Sequence, residues 1–459
     1  MDAMEVLTQF VANTRFEDLP RDVVERTKYF LLDTLGVAIA GTTSPGTVEV
    51  LDLVQDWGGK GESSIWMYGT KVPAYHAAFA NSVLTHAREL DDTHDVVRGH
   101  YNVSVLPAAV ASGEARKGAT GKELIAGIVL GNELMYRVGK GMPDYLGWHN
   151  TSTMGNFGAA AAAGKMLNLD EKKLLYTLGI VYSQVSGNHQ CLLDGALTKR
   201  IQPAFGSMAG VRSAFLASRG IDGPHNILEG KYGFYNVYGR GSYDRDVIVN
   251  GLGDSYGLMT LSVKPFPCCR FTHPAIGAML DQLRETPIDP ADIEDVVFKV
   301  TQLTVDLVGR PFEIGDNPEV SAQFSIAYTV AVALLNKKVF IEDFTNEAIH
   351  RPERMALARR IRVEVDESIP NQILPIPLSM EIRLKNGKTI RKQIDTIKGS
   401  HVSPLSQEEL EAKFRLCVGY SRRPFSAEQV DRIIDTCMNL ENVKDIAELT
   451  EALTAPQVG

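Results

Sequence analysis

The chain has 459 residues, of which 44% are hydrophobic and 22% are charged. This length exceeds what a single hydrophobic core usually supports, so two domains are expected. A net charge of -9 without any basic block argues against a nucleic-acid partner. No apolar run approaches the roughly 20 residues that span a bilayer, so no membrane partner is expected.

The first residues, Met1 to Glu5, lack the basic and apolar regions of a signal peptide. The five cysteines are too few and too scattered to form a disulfide framework in a chain of this length. We therefore expect a reduced, cytoplasmic protein.

Helical patterns dominate the chain as far as residue 262. A proline at position 20 starts an amphipathic helix, and a short strand is predicted over 63–68. Further helices are predicted over 73–88, 103–115, 121–137, 151–167, 171–186 and 205–218. The alanine run 159–163 favours close packing of neighbouring helices.

The pattern changes after residue 263. Alternating residues predict strands over 296–300, 361–365 and 379–384, and Asn386-Gly387 predicts a hairpin turn after the last of them. Helices are predicted over 325–335 and 353–360, and the helical pattern returns from 407. We predict a mainly α fold, with a large all-α domain built from 1–262 and 404–459 and an inserted α+β domain, 263–403.

The stretch 89–100 is the densest ionisable segment, with four carboxylates, two imidazoles and one guanidinium in twelve residues. It lies between two apolar helical segments. Burying a charge is costly unless the charge is paired, and function is the usual reason to accept that cost. The structural alternative is a solvated connector.

Two metal motifs fit this chain poorly. Residues 91–95 match the DDxxD pattern that holds Mg²⁺ in terpene synthases, but no second metal-binding motif follows. Cys268 and Cys269 are adjacent and lack the CxxC spacing of zinc or iron–sulfur sites, so an aconitase-type cluster is disfavoured. The chain also lacks the GxGxxG and GxxxxGK[ST] motifs. We expect no metal ligands.

Four further places put polar chemistry among apolar residues. His149 stands at the entry to a helix, Lys199 and Arg200 precede another helix, His273 follows the cysteine pair, and Tyr328 lies on an apolar helix. Each is more often structural than catalytic when taken alone. Together they supply bases, acids and cations.

Five segments occur in the order of a known family: ELDDTH (89–94), GWHNTSTMGNFGAAAAAGK (147–165), ALTKR (196–200), KPFPCCRFTHPA (264–275) and AQFSIAY (322–328). In these segments the chain resembles the MmgE/PrpD family of 2-methylcitrate dehydratase, cis-aconitate decarboxylase and iminodisuccinate epimerase. The resemblance covers nearly the whole chain. It implies that the inserted domain is a lid, that the protein is a homodimer, and that catalysis needs no cofactor.

The resemblance also implies an active site between the two domains. The catalytic residues carried over by position are His100, His149, Lys199, His273 and Tyr328. The residues expected to bind or orient a small di- or tricarboxylate are Glu89, Asp92, Thr93, Arg98 and Arg200. Glu89 departs from the Asp of the decarboxylase pattern, and Tyr101-Asn102 departs from the Pro-Ser or Pro-Gly of many members.

The shared chemistry would be proton movement at a carbon next to a carboxylate, where the enzyme must stabilise developing negative charge. We predict a hydro-lyase similar to 2-methylcitrate dehydratase. An epimerase comes second, because Arg98-Gly99-His100 resembles the iminodisuccinate epimerase. A cis-aconitate-type decarboxylase comes third, and a non-catalytic dimeric scaffold comes last.

Overall fold

The computed structural model describes residues 1–142, 146–369 and 376–455. Most of them are helical, which confirms the mainly α class. The helices are α1 (Ala3–Asn13), α2 (Arg21–Gly41), α3 (Thr47–Trp57), α4 (Ala74–His86), α5 (Asn102–Arg116), α6 (Gly121–Lys140), α7 (Asn150–Met166), α8 (Glu171–Tyr182), α9 (Gln190–Leu193), α10 (Thr198–Ser218), α11 (Phe234–Tyr238), α12 (Arg245–Val249), α13 (His273–Glu285), α14 (Gln302–Val308), α15 (Pro318–Gln323), α16 (Ile326–Asn336), α17 (Asn346–Ile349), α18 (Pro352–Ala358), α19 (Gln407–Val418), α20 (Ala427–Met438) and α21 (Ala447–Ala452).

The strands are short in the first half of the chain and longer in the second. They are β1 (Ser63–Ser64), β2 (Lys71–Val72), β3 (Thr93–His94), β4 (Leu261–Ser262), β5 (Ile293–Val300), β6 (Ile361–Val365), β7 (Leu378–Leu384) and β8 (Thr389–Ile394). The strand predicted over 63–68 is only two residues long, because the chain turns back at Gly69, whose φ of 67° suits glycine.

Both ends of the chain contribute to the first hydrophobic core. This core takes residues from Ala3 to Val263 and from Leu405 to Leu453. At its centre α7 packs against α5, α6 and α10. A Cβ atom on Gly210 of α10 would lie 2.6 Å from the carbonyl carbon of Ala159, so the two backbones are in direct contact at the alanine run.

The second hydrophobic core runs from Cys268 to Ile382 and combines α13 and α16 with a four-stranded sheet of order β6-β5-β7-β8. Strand β5 pairs parallel to β6 and antiparallel to β7. The hairpin predicted at Asn386-Gly387 joins β7 to β8.

The domain boundaries stay a prediction. The two cores draw on the parts of the chain assigned to the two predicted domains. Whether 263–403 moves as a lid over the helical part is likewise a prediction. Within the described ranges, no helix combines the length and the apolar character needed to cross a bilayer.

Helix α10 begins at Thr198, seven residues earlier than predicted. Pro203 is the sixth residue of this helix, so it lacks the backbone N–H that would donate to the carbonyl oxygen of Lys199. Lys199 and Arg200 therefore belong to the first turn of α10 rather than to a preceding loop.

Candidate active site

A cleft with a volume of about 120 Å³ lies where the loop after α4 meets the segment after β4 and the helices α14 and α15. This volume lies below that of a pocket for a drug-sized molecule, so only a small ligand fits. The residues that line it are Glu89, Thr93, His94, Asp95, Arg98, His100, His149, Thr151, His189, Leu192, Lys199, Lys264, Cys269, Arg270, Phe271, Leu303, Leu307 and Phe324.

The loop 87–101 carries most of these groups in a tight and partly strained conformation. Glu89 and Arg98 have φ values of 52° and 55°, the left-handed region that residues other than glycine rarely adopt. His94 stabilises the loop, because its Nδ1 accepts hydrogen bonds from the backbone of Val96 and Val97. Backbone strain of this kind is concentrated at functional sites.

Two histidines share one carboxylate oxygen beneath the cleft. Oδ2 of the fully buried Asp91 lies 3.0 Å from Nδ1 of His86 and 2.9 Å from Nδ1 of His100. Although burial alone would raise it, His100 and His86 hold the pKa of Asp91 well below its usual range. Asp91 is therefore an anion that can stabilise a protonated imidazole.

The environment of His100 fixes its tautomer. Its Nδ1 atom also lies 2.7 Å from the backbone carbonyl oxygen of Asp92. A carbonyl only accepts hydrogen bonds, so Nδ1 must carry the proton and donate it. The other ring nitrogen, Nε2, is thus left with its lone pair in the neutral ring. The backbone N–H of His100 is bound by Oγ1 of Thr151 at 3.1 Å.

The backbone carbonyl of Asp92 contacts His100, while the Asp92 side chain binds the backbone at the start of α5. The two carboxylate oxygens accept hydrogen bonds from the backbone of Tyr101 and Asn102 at 2.8 and 3.1 Å, at the start of α5. Burial and the nearby Asp91 raise the pKa of Asp92 to about 7.

Lys199 and Lys264 reach the same carboxylate from opposite parts of the chain. Oε1 of Glu89 accepts a hydrogen bond from Lys199, and Oε2 lies 3.5 Å from Nζ of Lys264. Lys264 also donates to the backbone carbonyl of Glu89 at 3.0 Å. Although burial opposes it, these cations and His86 hold the pKa of Glu89 below its usual range. Glu89 is thus ionised and fixed.

His149 is the N-terminal cap residue of α7 and is 3% exposed. Burial, followed by the positive charge of Lys199, lowers the pKa of His149 well below its usual value. Its ring centroid lies 5.1 Å from that of His189, whose pKa burial lowers to about 4. Both rings are neutral near pH 7.

An ion pair joins the loop to the second core. Arg270 donates two hydrogen bonds to Asp95, from Nε at 2.8 Å and from Nη2 at 2.9 Å, and Ser262 donates a third at 2.6 Å. Next to it, Thr93 in β3 pairs with Ser262 in β4. These contacts hold the floor of the cleft against the segment that follows β4.

Seven of the ten predicted site residues come together in the cleft or in contact with it: Glu89, Asp92, Thr93, Arg98, His100, His149 and Lys199. The other three lie elsewhere among the described residues. Arg200 donates to the carbonyl of Pro45 at 3.2 Å, and Nε2 of His273 lies 3.3 Å from the carbonyl of Cys268. Tyr328 donates to the carbonyl of Asp343 inside the second core.

Sequence reasoning missed several residues of this site, chiefly His86, Asp91, Lys264, Asp95 and Arg270. Asp91 and Asp95 stand in the ionisable stretch, where neighbouring residues were assigned the roles. His86 lies three residues before that stretch. Its closeness to the stretch was a usable signal, but the residue falls within an apolar helical pattern and was read as part of the helix. Lys264 and Arg270 belong to the segment 264–275, in which the cysteines and His273 are the more conspicuous residues.

Among the described residues, one group could offer ligands to a metal ion. His86, Asp91 and His100 each place one ligand atom within 4.8 Å of the others. Those atoms already bond to one another, and the ammonium of Lys199 lies 3.0 Å from the second nitrogen of His86. A neighbouring cation opposes a metal ion, so the donor set fits a hydrogen-bonded triad better.

The five cysteines all lie within the described ranges, and each is a free thiol. Cys269 lines the cleft. Burial raises the pKa of its thiol to about 11, so it is neutral at pH 7.

Two family models match the chain, the MmgE/PrpD N-terminal domain over residues 5–246 and the MmgE/PrpD C-terminal domain over residues 266–440. Similar curated proteins are the cis-aconitate decarboxylases of Aspergillus terreus, Mus musculus and Homo sapiens. The Aspergillus protein is 27% identical over 98% of this chain and 95% of its own length. The mouse protein is 27% identical over 99% and 94%, and the human protein is 29% identical over 95% and 91%.

Proposed function

The chain belongs to the MmgE/PrpD family, and we propose that it is a cofactor-free lyase that acts on a small di- or tricarboxylate. The reaction moves a proton at a carbon next to a carboxylate. The observation that carries this proposal is the arrangement of His100, whose Nδ1 is bound by Asp91 and by the Asp92 carbonyl while the ring lines a cationic cleft. A homodimer and a cytoplasmic location stay predictions from the sequence.

The charge of the cleft supports an anionic substrate. Of the described residues that line it, four are cations and two are carboxylates: Arg98, Lys199, Lys264, Arg270, Glu89 and Asp95. This leaves an excess of positive charge among these six side chains, which favours a ligand with two or three carboxylates. Arg98 comes from the loop 87–101 and Lys199 from α10, and each can attract one carboxylate.

The chemical step relies on the contact between His100 and the Asp91 carboxylate. When Nε2 holds a proton, the ring is an imidazolium that the Asp91 anion stabilises; when Nε2 is bare, it is a base. Lys199 supplies positive charge, which stabilises the negative charge that develops next to a substrate carboxylate. One ring therefore serves either direction of proton transfer.

We favour decarboxylation among the lyase reactions, because the curated relatives above are cis-aconitate decarboxylases. The bond between the substrate carbon and its carboxylate breaks, and carbon dioxide leaves. The electron pair stays on the carbon and takes the proton from Nε2 of His100. The neutral ring is then reprotonated from water before the next cycle.

The second candidate function is a hydro-lyase, which the sequence predicted first, or an epimerase. Both need a second proton-transfer group besides His100. Lys199 and His149 line the same cleft and can serve as that group. The relatives do not support the hydro-lyase as the first choice.

The test is proton NMR of the EDTA-treated protein in D₂O with cis-aconitate, citrate, 2-methylcitrate and a chiral hydroxy- or aminosuccinate. A product one carbon shorter that carries one carbon-bound deuteron from the solvent supports decarboxylation. Loss or addition of water supports the hydro-lyase, and racemisation with deuterium uptake supports the epimerase. No reaction with any of these acids contradicts the proposal and favours a non-catalytic scaffold.

A further inference from the structure

His86 is connected to the cleft without touching it. It is the last residue of α4, and its side chain is fully buried. Its Nε2 accepts a hydrogen bond from Nζ of Lys199 at 3.0 Å, and its Nδ1 donates to Oδ2 of Asp91 at 3.0 Å. The same oxygen accepts from Nδ1 of His100 at 2.9 Å. Three contacts thus join two cleft residues, Lys199 and His100, through two buried ones.

We propose that His86 is a positioning residue that makes His100 harder to protonate, by giving Oδ2 of Asp91 a second N–H donor. This inference rests on the proposed function, in which His100 carries the proton. An oxygen that accepts two hydrogen bonds has less negative charge available for each partner, so it stabilises an imidazolium less than an oxygen with one donor. Without the donor at position 86, His100 accepts a proton at a higher pH.

The state of His86 agrees with this role. Burial and the charge of Lys199 lower the pKa of His86 to about 4, so the ring is neutral near pH 7. A neutral ring has one donor and one acceptor. Asp91 accepts a hydrogen bond from Nδ1, and Lys199 donates a hydrogen bond to Nε2, which fixes both the tautomer and the orientation of the ring.

Several ionisable groups surround His100, and His86 is the only one of them that the test substitutes. They come from its own loop, from α4, from α7, from the turn before α9 and from α10: Asp91, Asp92, Arg98, His86, His149, His189 and Lys199.

Substitution of His86 by Asn or by Gln tests its two contacts one at a time. In His86→Asn, the amide nitrogen occupies the position of Nδ1, so the variant keeps a donor for Asp91 and loses the contact with Lys199. In His86→Gln, the amide group occupies the position of Nε2, so the variant keeps a partner for Lys199 and loses the donor to Asp91. Each variant is the control for the other, because both remove the ring.

The measurement is the rate at which diethyl pyrocarbonate modifies His100 as a function of pH, followed by mass spectrometry of the peptide that contains it. Only the unprotonated imidazole reacts, and the side chain of His100 is 15% exposed in the cleft. We expect the midpoint in His86→Gln to rise by roughly half a pH unit or more. The midpoint in His86→Asn stays at the wild-type value.

Equal midpoints in the three proteins overturn the inference, and so does the same shift in both variants. If His86→Asn does not fold, the comparison of His86→Gln with the wild type decides on its own: a raised midpoint supports the inference, and an unchanged midpoint overturns it. Circular dichroism and thermal unfolding establish folding before the titration.

A second readout separates this inference from the proposed function. With an active substrate, the acid limb of the pH profile of kcat/KM moves upward in His86→Gln and stays in place in His86→Asn. If the wild type converts none of the acids above, the proposed function fails, while the modification of His100 still decides the role of His86.

Discussion

Nδ1 of His100 lies 2.7 Å from the backbone carbonyl oxygen of Asp92. This contact fixes the proton on Nδ1, because a carbonyl oxygen cannot donate. It also ties the histidine to the loop that carries the acidic residues. The remaining nitrogen is then available to exchange a proton with a substrate in the cleft, and the role of each neighbouring residue can be tested against that geometry.

Replacing Asp91 with Asn should lower kcat by about 10² to 10⁴. The amide keeps the shape of the side chain, but it removes the negative charge that stabilises protonated His100. Steady-state kinetics with the best substrate of the panel measures the effect, and Asp91→Glu serves as the charge-retaining control. A kcat of Asp91→Asn near the wild-type value would show that the charge is not needed.

Lys264→Met should lower kcat/KM by roughly tenfold to a hundredfold, the usual loss for a hydrogen bond to a charged group. Lys264 is 1% exposed and contacts both the carboxylate and the backbone of Glu89. Lys338→Met is the matched control, since Lys338 pairs with Glu342 at the surface. An equal effect of the two substitutions on kcat/KM would show that Lys264 has no specific role in the site.

Tyr328→Phe tests whether Tyr328 is catalytic, as the family resemblance implies, or structural, as its position implies. The Tyr328 hydroxyl donates to the carbonyl of Asp343 and accepts from Nη1 of Arg354 at 3.0 Å, outside the cleft. We expect the free energy of unfolding to fall by about 1 kcal/mol and kcat to stay within about twofold. Urea unfolding and steady-state kinetics measure the two quantities. A hundredfold loss of kcat at unchanged stability would show that the hydroxyl takes part in catalysis.

Buried histidines should make the protein sensitive to acid. Burial lowers the pKa of His86 and of His94 to about 4. Their unfolded value is about 6.5, so the unfolded state binds protons that the folded state cannot, and stability falls as the pH drops from about 6.5 to 4. Asp92, with its raised pKa of about 7, acts in the opposite direction and offsets part of this loss.

His94→Asn isolates one of these titrations. The amide oxygen can still accept from the backbone of Val96 and Val97, as Nδ1 of His94 does. The fall in the free energy of unfolding between pH 7 and pH 5 should therefore be smaller by roughly 2 kcal/mol in the variant. Urea unfolding at the two pH values gives the comparison, and an identical fall in both proteins would contradict the assignment.

The sequence predicted the loop and much of the secondary structure, because those signals are local. The dense charges of 89–100 mark the site, and the hairpin at Asn386-Gly387 follows from turn chemistry. Apolar periodicity identified α4 to α8 to within a few residues at most ends. Whether the chain divides into two domains, and at which residues, depends on packing that no local pattern encodes.

Arg200, His273 and Tyr328 do not line the cleft, and the direction in which each side chain points is the common cause. Lys199 and Arg200 are adjacent on α10, and neighbours on a helix do not face the same side, so only Lys199 reaches the cleft. His273 and Tyr328 are buried, and their polar atoms contact the carbonyl oxygens of Cys268 and Asp343. His86 was missed because a buried histidine in an apolar helix gives no local signal of its long-range partner, Lys199.

The most direct test of the central role of His100 is deuterium incorporation in D₂O, with EDTA present, by the wild type and by His100→Ala. The assay uses the most active acid of the panel and follows the carbon next to the carboxylate. We predict that the wild type incorporates deuterium with EDTA present and that His100→Ala, while still folded by circular dichroism, loses this activity by about 10² or more. Incorporation by His100→Ala at the wild-type rate would contradict that role.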